Sequence, residues 1–206
     1  FFPECKKRGV TQILHLGDYY DHRKFVNFKA LNQNRRVFLE PLRKNNMVMD
    51  IIPGNHDTYY KNTNELNSLK ECLGHYMNEI HIIMEPTVMQ YGSLSMGLLP
   101  WICSDNYDQS MNFIRDCKAD WLGAHLELAN FEIGRGIMAH GGMDPKPFHK
   151  FEQVLSGHYH TASKRDNIWY LGNPMEFFWS DAHDTKYFHI LDTETRQIEK
   201  IQNTYT

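Results

Sequence analysis

With 206 residues, 41% of them hydrophobic and 23% charged, the chain is long enough to bury a core and too apolar to be disordered. A net charge of −3 gives no support to binding of nucleic acid through a basic surface, and no apolar run approaches the ~18 residues that a membrane span needs. The cysteines form neither a C-x-x-C pair nor a zinc-type repeat, which indicates reduced thiols in a cytoplasmic protein; they are Cys5, Cys72, Cys103 and Cys117.

The first half of the chain predicts alternating strands and helices. The predicted elements are a helix end at 4–8, a strand at 11–16, a helix with apolar positions from Phe25 to Leu42, a strand at 47–52 and a helix from Asn64 to Gly74. The strand–helix–strand order at its start is typical of a parallel βαβ unit.

The second half is richer in strands. Short strands are predicted within 81–99 and at 121–124, 136–139, 153–156, 168–171, 187–191 and 197–201, with one helix at 106–118. The last two strands predict a hairpin. Together the two halves predict a single α/β domain over 1–206, an α+β sandwich in which two packed mixed β-sheets are flanked by helices.

Four segments share one pattern, in which an apolar strand is followed by a small residue and then by a polar side chain able to bind a metal. They are Leu16-Gly17-Asp18, Pro53-Gly54-Asn55-His56-Asp57, Leu122-Gly123-Ala124-His125 and Leu155-Ser156-Gly157-His158-Tyr159-His160. In open α/β sheets, ligands collect at the carboxyl ends of strands, where glycine allows tight turns. We therefore expect the four loops to point at one place.

The donor types in these loops are carboxylate, amide oxygen and imidazole, which suit manganese, iron or zinc. The candidate metal ligands are Asp18, Asn55, His125, His158 and His160. Each alone is compatible with a structural role, such as a turn residue or a hydrogen-bonded core histidine. Their joint occurrence after strands favours a two-metal site, in which a shared carboxylate places two ions roughly 3.5–4 Å apart to clamp a phosphate.

These motifs resemble those of the calcineurin-like metallophosphoesterases, which have a four-layer fold. Within that superfamily the chain is most similar to the nuclease subunits of double-strand-break processing complexes, including those of T-even-type phages. The likeness covers nearly the whole chain. It rests on the four segments above and on Gly123–Leu128, Val154–Thr161, Tyr170-Leu171-Gly172-Asn173-Pro174 and Leu191–Thr195.

The resemblance implies a role for each candidate ligand. Asp18 would bridge two divalent ions, manganese first, with magnesium, iron or zinc as alternatives. The coordination of the second ion would be completed by Asn55, His125 and His158, and His160 would bind the first ion.

The resemblance also implies catalytic residues. His56 would contact the scissile phosphate and protonate the leaving oxygen, and Asp57 would orient His56. Asp21, Glu127 and His140 are candidates for supporting residues that do not bind metal directly. Glu127 is equally compatible with a polar loop residue, and a structural histidine is the expectation for His140.

One family motif is missing. In the family an Asp-x-His motif on the first strand supplies two ligands to the first ion, and no predicted strand of this sequence carries that motif. The family also has a C-terminal region that caps the DNA groove and binds an ATPase partner. We therefore expect a catalytic core without both ends, which binds one ion well and the other poorly and cleaves weakly.

Three functions remain open at this stage. The leading one is a DNA exonuclease or endonuclease of recombination and repair, acting with an SMC-like ATPase subunit, as a homodimer, in the cytoplasm of a host if a phage encodes it. The second is another phosphoesterase acting on nucleotides or phosphoproteins, and the third is a non-catalytic scaffold with an incomplete metal site.

The aromatic run Phe177-Phe178-Trp179 leaves two interpretations open. Core packing is the expectation, and stacking on nucleobases is the alternative.

Overall fold

The computed structural model describes residues 1–134 and 136–204. The helices are α1 (Phe2–Lys7), α2 (Phe28–Asn34), α3 (Glu40–Lys44), α4 (Ser68–Leu73) and α5 (Tyr107–Asp116). The strands are β1 (Gln12–His15), β2 (Val48–Ile51), β3 (Ile80–Ile82), β4 (Thr87–Tyr91), β5 (Leu94–Leu99), β6 (Trp121–His125), β7 (Glu132–Gly134), β8 (Ile137–Met138), β9 (Gln153–Gly157), β10 (Ser163–Arg165), β11 (Ile168–Tyr170), β12 (Tyr187–Leu191) and β13 (Ile198–Gln202). Within these ranges, no helix is long and apolar enough to cross a membrane.

Two sheets carry the architecture. The first is parallel, in the order β1-β2-β3, and the second is mixed, in the order β10-β11-β9-β6-β5-β4. In the second sheet β5, β6, β9 and β11 run parallel, and β4 and β10 lie antiparallel at its edges. The β7–β8 and β12–β13 pairs form separate hairpins, so the predicted C-terminal hairpin is confirmed.

Three apolar clusters define four layers. One cluster lies between the sheets and joins Leu16 and Ile52 of the first sheet's loops to Met96, Leu98 and other residues of the second. A second cluster packs helices α1, α3 and α4 on the outer face of the first sheet, and a third packs α5 on the outer face of the second. The predicted pair of packed sheets flanked by helices is confirmed, but the first sheet is parallel and not mixed as predicted.

The long helix before β2 begins later than predicted. Asn27 caps it by accepting the Lys29 N–H at 2.7 Å, so the helix starts at Phe28 and Phe25 lies outside it. Between α2 and α3 the chain forms a π-helical turn over Arg35–Leu39. Pro41 follows this turn; it has no N–H to donate and its ring crowds the carbonyl four residues earlier, which a wider turn accommodates.

Helix α4 also begins later than the predicted start at Asn64. The Asn67 side chain accepts the Lys70 N–H at 2.9 Å and caps the helix, so Ser68 is its first residue. Gly74 does not end it in a left-handed conformation, because its φ is −56° and it begins a short 3₁₀ turn, Gly74–Tyr76.

Candidate metal centre

The four predicted loops meet at one edge of the molecule. Each follows the carboxyl end of a parallel strand: β1 and β2 in the first sheet, and the neighbouring strands β6 and β9 in the second. Because parallel strands end at the same edge of a sheet, Asp18, Asn55, His125 and His158 are brought together although they are distant in sequence.

The contacts among these side chains are short. One ligand atom from each of Asp18, His125 and His158 lies within 4.8 Å of the other two. His125 Nε2 is 3.2 Å from Asp18 Oδ2. Asn55 Oδ1 lies 3.0 Å from His125 Nε2 and 2.8 Å from His158 Nδ1. Four oxygen and nitrogen donors therefore face one small volume, which is a donor set suited to a divalent ion.

Glycines give this volume its shape. A Cβ on Gly17 would lie 2.5 Å from His125 Nδ1, and one on Gly54 would overlap the Asp18 carboxylate and lie 2.6 Å from His125 Cε1. Gly17 also has a φ of +89°, which side chains rarely adopt. The close approach of the loops thus depends on the small residue in each motif.

Two candidate ligands have left-handed backbones. The φ of Asp18 is +55° and that of His158 is +86°. Residues other than glycine pay a conformational cost there, and such residues cluster at functional sites.

The protonation states of Asp18 and His158 suit metal binding. Burial acts to raise the pKa of Asp18, but the His125 ring and the His56 amide outweigh it and lower that pKa to about 2. Burial, together with the nearby His125, lowers the pKa of His158 to about 3. Asp18 is therefore ionised and His158 neutral near pH 7, the forms that bind metals.

His125 is fully buried and oriented by the backbone. Its Nδ1–H donates to the Leu16 carbonyl at 2.6 Å, which directs Nε2 at Asp18 and Asn55. Burial acts to lower the pKa of His125, but the Asp18 carboxylate and the Leu16 carbonyl outweigh it, so that the pKa rises.

The expected role of Asp57 needs correction. Its carboxylate is fully buried and accepts the N–H groups of Asp18 (2.7 Å), Gly54 (2.8 Å) and Tyr19 (2.9 Å). The His56 ring is instead held by Asp21, whose carbonyl accepts from Nδ1 at 2.5 Å. Backbone amides of both loops surround the Asp57 carboxylate, so it holds the two loops together rather than orienting His56.

His56 lies beside the cluster. Its backbone N–H donates to Asp18 Oδ1 at 2.7 Å, and its ring is partly exposed. Because a carbonyl can only accept, the bond to Asp21 places a proton on Nδ1 and leaves Nε2 as the nitrogen that can gain or lose one.

His160 is not in the group of three side chains. Its ring stacks on Phe178 with centroids 5.4 Å apart and planes at 5°, and its Nδ1 lies 3.3 Å from Asp181 Oδ2. Sequence reasoning missed Asp181 as a partner, since it lies 21 residues from His160, in a short 3₁₀ turn, Trp179–Asp181.

Two other expected supporting residues are less closely engaged. Glu127 is exposed and lines a cavity of about 310 Å³ beside His125, together with Trp101 and Tyr107. His140 is exposed, and the described contacts do not connect it to the cluster. Trp101, another residue that sequence reasoning missed, packs against both the His125 and His158 rings at 5.9 and 5.5 Å between centroids.

Comparison with known proteins gives two findings and one absence. No family model matches the chain. The chain is 32% identical over 201 residues to "Exonuclease subunit 1" of Enterobacteria phage T4, which covers 98% of this chain and 58% of that relative. A solved structure described as a novel archaeal phosphodiesterase is similar at a TM-score of 0.49 and 16% identity, over 98% of this chain and 88% of that one.

The chain thus spans somewhat more than half the length of the phage relative. Identity at this level over 201 residues establishes a relationship that includes all four loops of the candidate metal centre. The resemblance to a phage nuclease subunit, predicted from the motifs, is confirmed by this similarity.

Proposed function

We propose that this chain is the catalytic core of a metal-dependent phosphodiester hydrolase that cleaves DNA. The observation that carries the proposal is the convergence of Asp18, His125 and His158, with ligand atoms within 4.8 Å of one another. The similarity to a phage exonuclease subunit supports a nucleic acid as the substrate, and DNA is the nucleic acid that the family resemblance implies.

Asp18, Asn55, His125 and His158 would hold the ion. Asp18 is ionised, His158 is neutral, and the Leu16 carbonyl aims His125 Nε2 at the same point. When bound, divalent ions would supply positive charge to the phosphate oxygens and make a water molecule more acidic. Manganese is the proposed ion, because the donor set mixes carboxylate, amide oxygen and imidazole.

His56 is the proposed general acid. Its backbone amide binds the Asp18 carboxylate, which places the ring beside the same loop. The bond from Nδ1 to the Asp21 carbonyl sets the ring's orientation. Nε2 can then donate a proton to the leaving oxygen as the phosphodiester bond breaks.

His160 and a second ion are a separate part of the proposal. His160 follows His158 by two residues, and a small rotation of its ring away from Asp181 would free Nδ1. The proposed protein partner is an ATPase subunit. The word "subunit" in the relative's name supports a partner subunit, and its being an ATPase is what the family resemblance implies.

The function is tested by hydrolysis of two substrates in the presence of manganese. One is linear DNA and the other is a small phosphate monoester. We expect cleavage of DNA that EDTA abolishes. Hydrolysis of the monoester alone would favour a phosphatase, and no hydrolysis of either, by a protein that binds manganese, would favour the scaffold interpretation.

A further inference from the structure

Three consecutive aromatic side chains lie on the surface next to His160. The exposed fractions are 53% for Phe177, 49% for Phe178 and 93% for Trp179. The core packing predicted for them is therefore wrong. A tryptophan that leaves nearly all of its surface in water forgoes the stabilisation that burial would supply, which is a common property of binding surfaces.

This segment is held in place by a buried carboxylate. Asp181 is 3% exposed, and its Oδ2 accepts the N–H groups of Phe177 (2.9 Å) and Phe178 (3.2 Å) and the Asn173 side chain (3.1 Å). The buried Lys186 ammonium lies 3.8 Å from the other oxygen. A buried carboxylate with this many hydrogen-bond and charge partners fixes the backbone of the segment, so the aromatic rings are held in a defined position.

The segment is also continuous with the metal centre. The Phe178 ring stacks on His160, and the Asp181 carboxylate that supports the segment contacts His160 Nδ1. His160 is in turn two residues from His158, one of the three clustered side chains. A DNA strand with a phosphate at the cluster would therefore have its neighbouring nucleotides close to these rings.

We propose that residues 177–179, named here the aromatic platform, bind unpaired nucleobases of the DNA strand. The proposal rests on the proposed function and narrows its substrate class to DNA with single-stranded character. Flat aromatic rings stack on bases of any sequence, and a base can offer its face only when it is unstacked from a duplex. Trp179 supplies the largest exposed ring and is the residue on which binding should depend most.

The test is direct binding of a labelled single-stranded oligonucleotide and of a duplex of the same length, measured by fluorescence anisotropy. EDTA is present throughout, so that cleavage cannot affect the result. The variants are Trp179→Ala, Trp179→Phe and, as a matched control, Phe28→Ala. Phe28 is 88% exposed on helix α2, so it controls for the loss of an exposed aromatic ring elsewhere.

We expect Trp179→Ala to weaken single-strand binding by roughly 5- to 150-fold, the equivalent of one stacked base. Trp179→Phe should retain most of the affinity because a ring remains, and Phe28→Ala should bind like the wild type. Duplex binding should change less than single-strand binding. If Trp179→Ala does not fold, as judged by circular dichroism, Phe177→Ala is measured in its place with the same expectation.

Several results would overturn the platform. The first is that the wild type does not bind the single strand. The second is that the affinity of Trp179→Ala lies within about twofold of the wild-type affinity. The third is that the variant loses affinity for the single strand and for the duplex equally. Unchanged affinity would leave the segment as a surface for a protein partner. A wild type that cleaves DNA but binds single strands independently of Trp179 refutes the platform alone, whereas binding through Trp179 without any hydrolysis refutes the proposed function alone.

Discussion

At the residue scale, Asp57 is the side chain that joins the two loops of the first sheet. It accepts backbone N–H groups from Asp18 and Tyr19 after β1 and from Gly54 after β2. These donors are directed at both oxygens, so an amide at this position would place its NH₂ group against N–H groups. Burial raises the pKa of the Asp57 carboxyl group to about 6, although the hydrogen bond from the Gly54 amide acts to lower that pKa.

Replacement of Asp57 by Asn should therefore destabilise the fold. We expect the free energy of unfolding to fall by about 2–4 kcal/mol, because buried donors lose their acceptor. Urea denaturation followed by circular dichroism measures it. Asp144→Asn is the control, since Asp144 is an exposed residue, and a loss below about 0.5 kcal/mol for Asp57→Asn would contradict the role.

His158 leads to a different expectation, because its ring is a candidate metal ligand. His158→Ala should lower manganese affinity by at least about 10-fold, as measured by isothermal titration calorimetry, and DNA cleavage with it. The melting temperature without metal should change little. His149→Ala, which removes a half-exposed histidine that lies beside Asp166 and is not one of the clustered side chains, is the control, and unchanged manganese affinity in His158→Ala would remove this residue from the site.

At the element scale, the site depends on how closely the strand-end loops approach one another. Gly54 contacts the Asp18 loop so tightly that a methyl group has no room. The strands themselves are regular, with β1 and β2 paired over four residues. The loops, and not the strands, therefore limit what the site tolerates.

Gly54→Ala should separate the loops and abolish high-affinity metal binding. The added Cβ would meet Asp18 and the His125 ring, both of which belong to the cluster. Gly141→Ala is the matched control, because a Cβ there has nothing within 4 Å. Calorimetric titration with manganese measures both variants, and wild-type affinity in Gly54→Ala would show that the loops can yield without harm.

At the scale of the whole molecule, the C-terminal hairpin packs against the second sheet through a neutral histidine. His189 of β12 contacts Trp169 of β11, with ring centroids 5.4 Å apart. Burial, with a smaller effect of Lys200, lowers the pKa of His189 to about 4. In the unfolded chain His189 has the ordinary histidine pKa of about 6.5, so the unfolded chain binds more protons than the folded chain between pH 4 and 6.5.

The free energy of unfolding should accordingly rise as pH increases from about 4 to 6.5, and this contribution should be constant above that range. His189→Gln should reduce the difference in stability between pH 4.5 and pH 7. Urea denaturation at the two pH values measures it, with His75→Gln as the exposed control. An equal pH dependence in the wild type and His189→Gln would show that His189 does not contribute.

Much of the fold could be predicted from local patterns, because strand and helix periodicities depend on neighbouring residues. The apolar spacing predicts starts of α2 and α4 that are too early, since Asn27 and Asn67 cap those helices and the spacing alone does not locate a cap. Likewise, the exposure of Trp179 could not be predicted, because a hydrophobic residue is compatible with either the core or a surface.

The sequence by itself determined which side chains are candidates for metal binding, since each follows a strand and a small residue that lets the backbone turn. Only the tertiary structure decided their partners. Asp57 binds the amides of both loops and leaves the His56 ring to Asp21, and His160 lies against Asp181 and Phe178. These contacts join segments distant in sequence, and their geometry follows from how the two sheets pack, which short-range patterns do not encode.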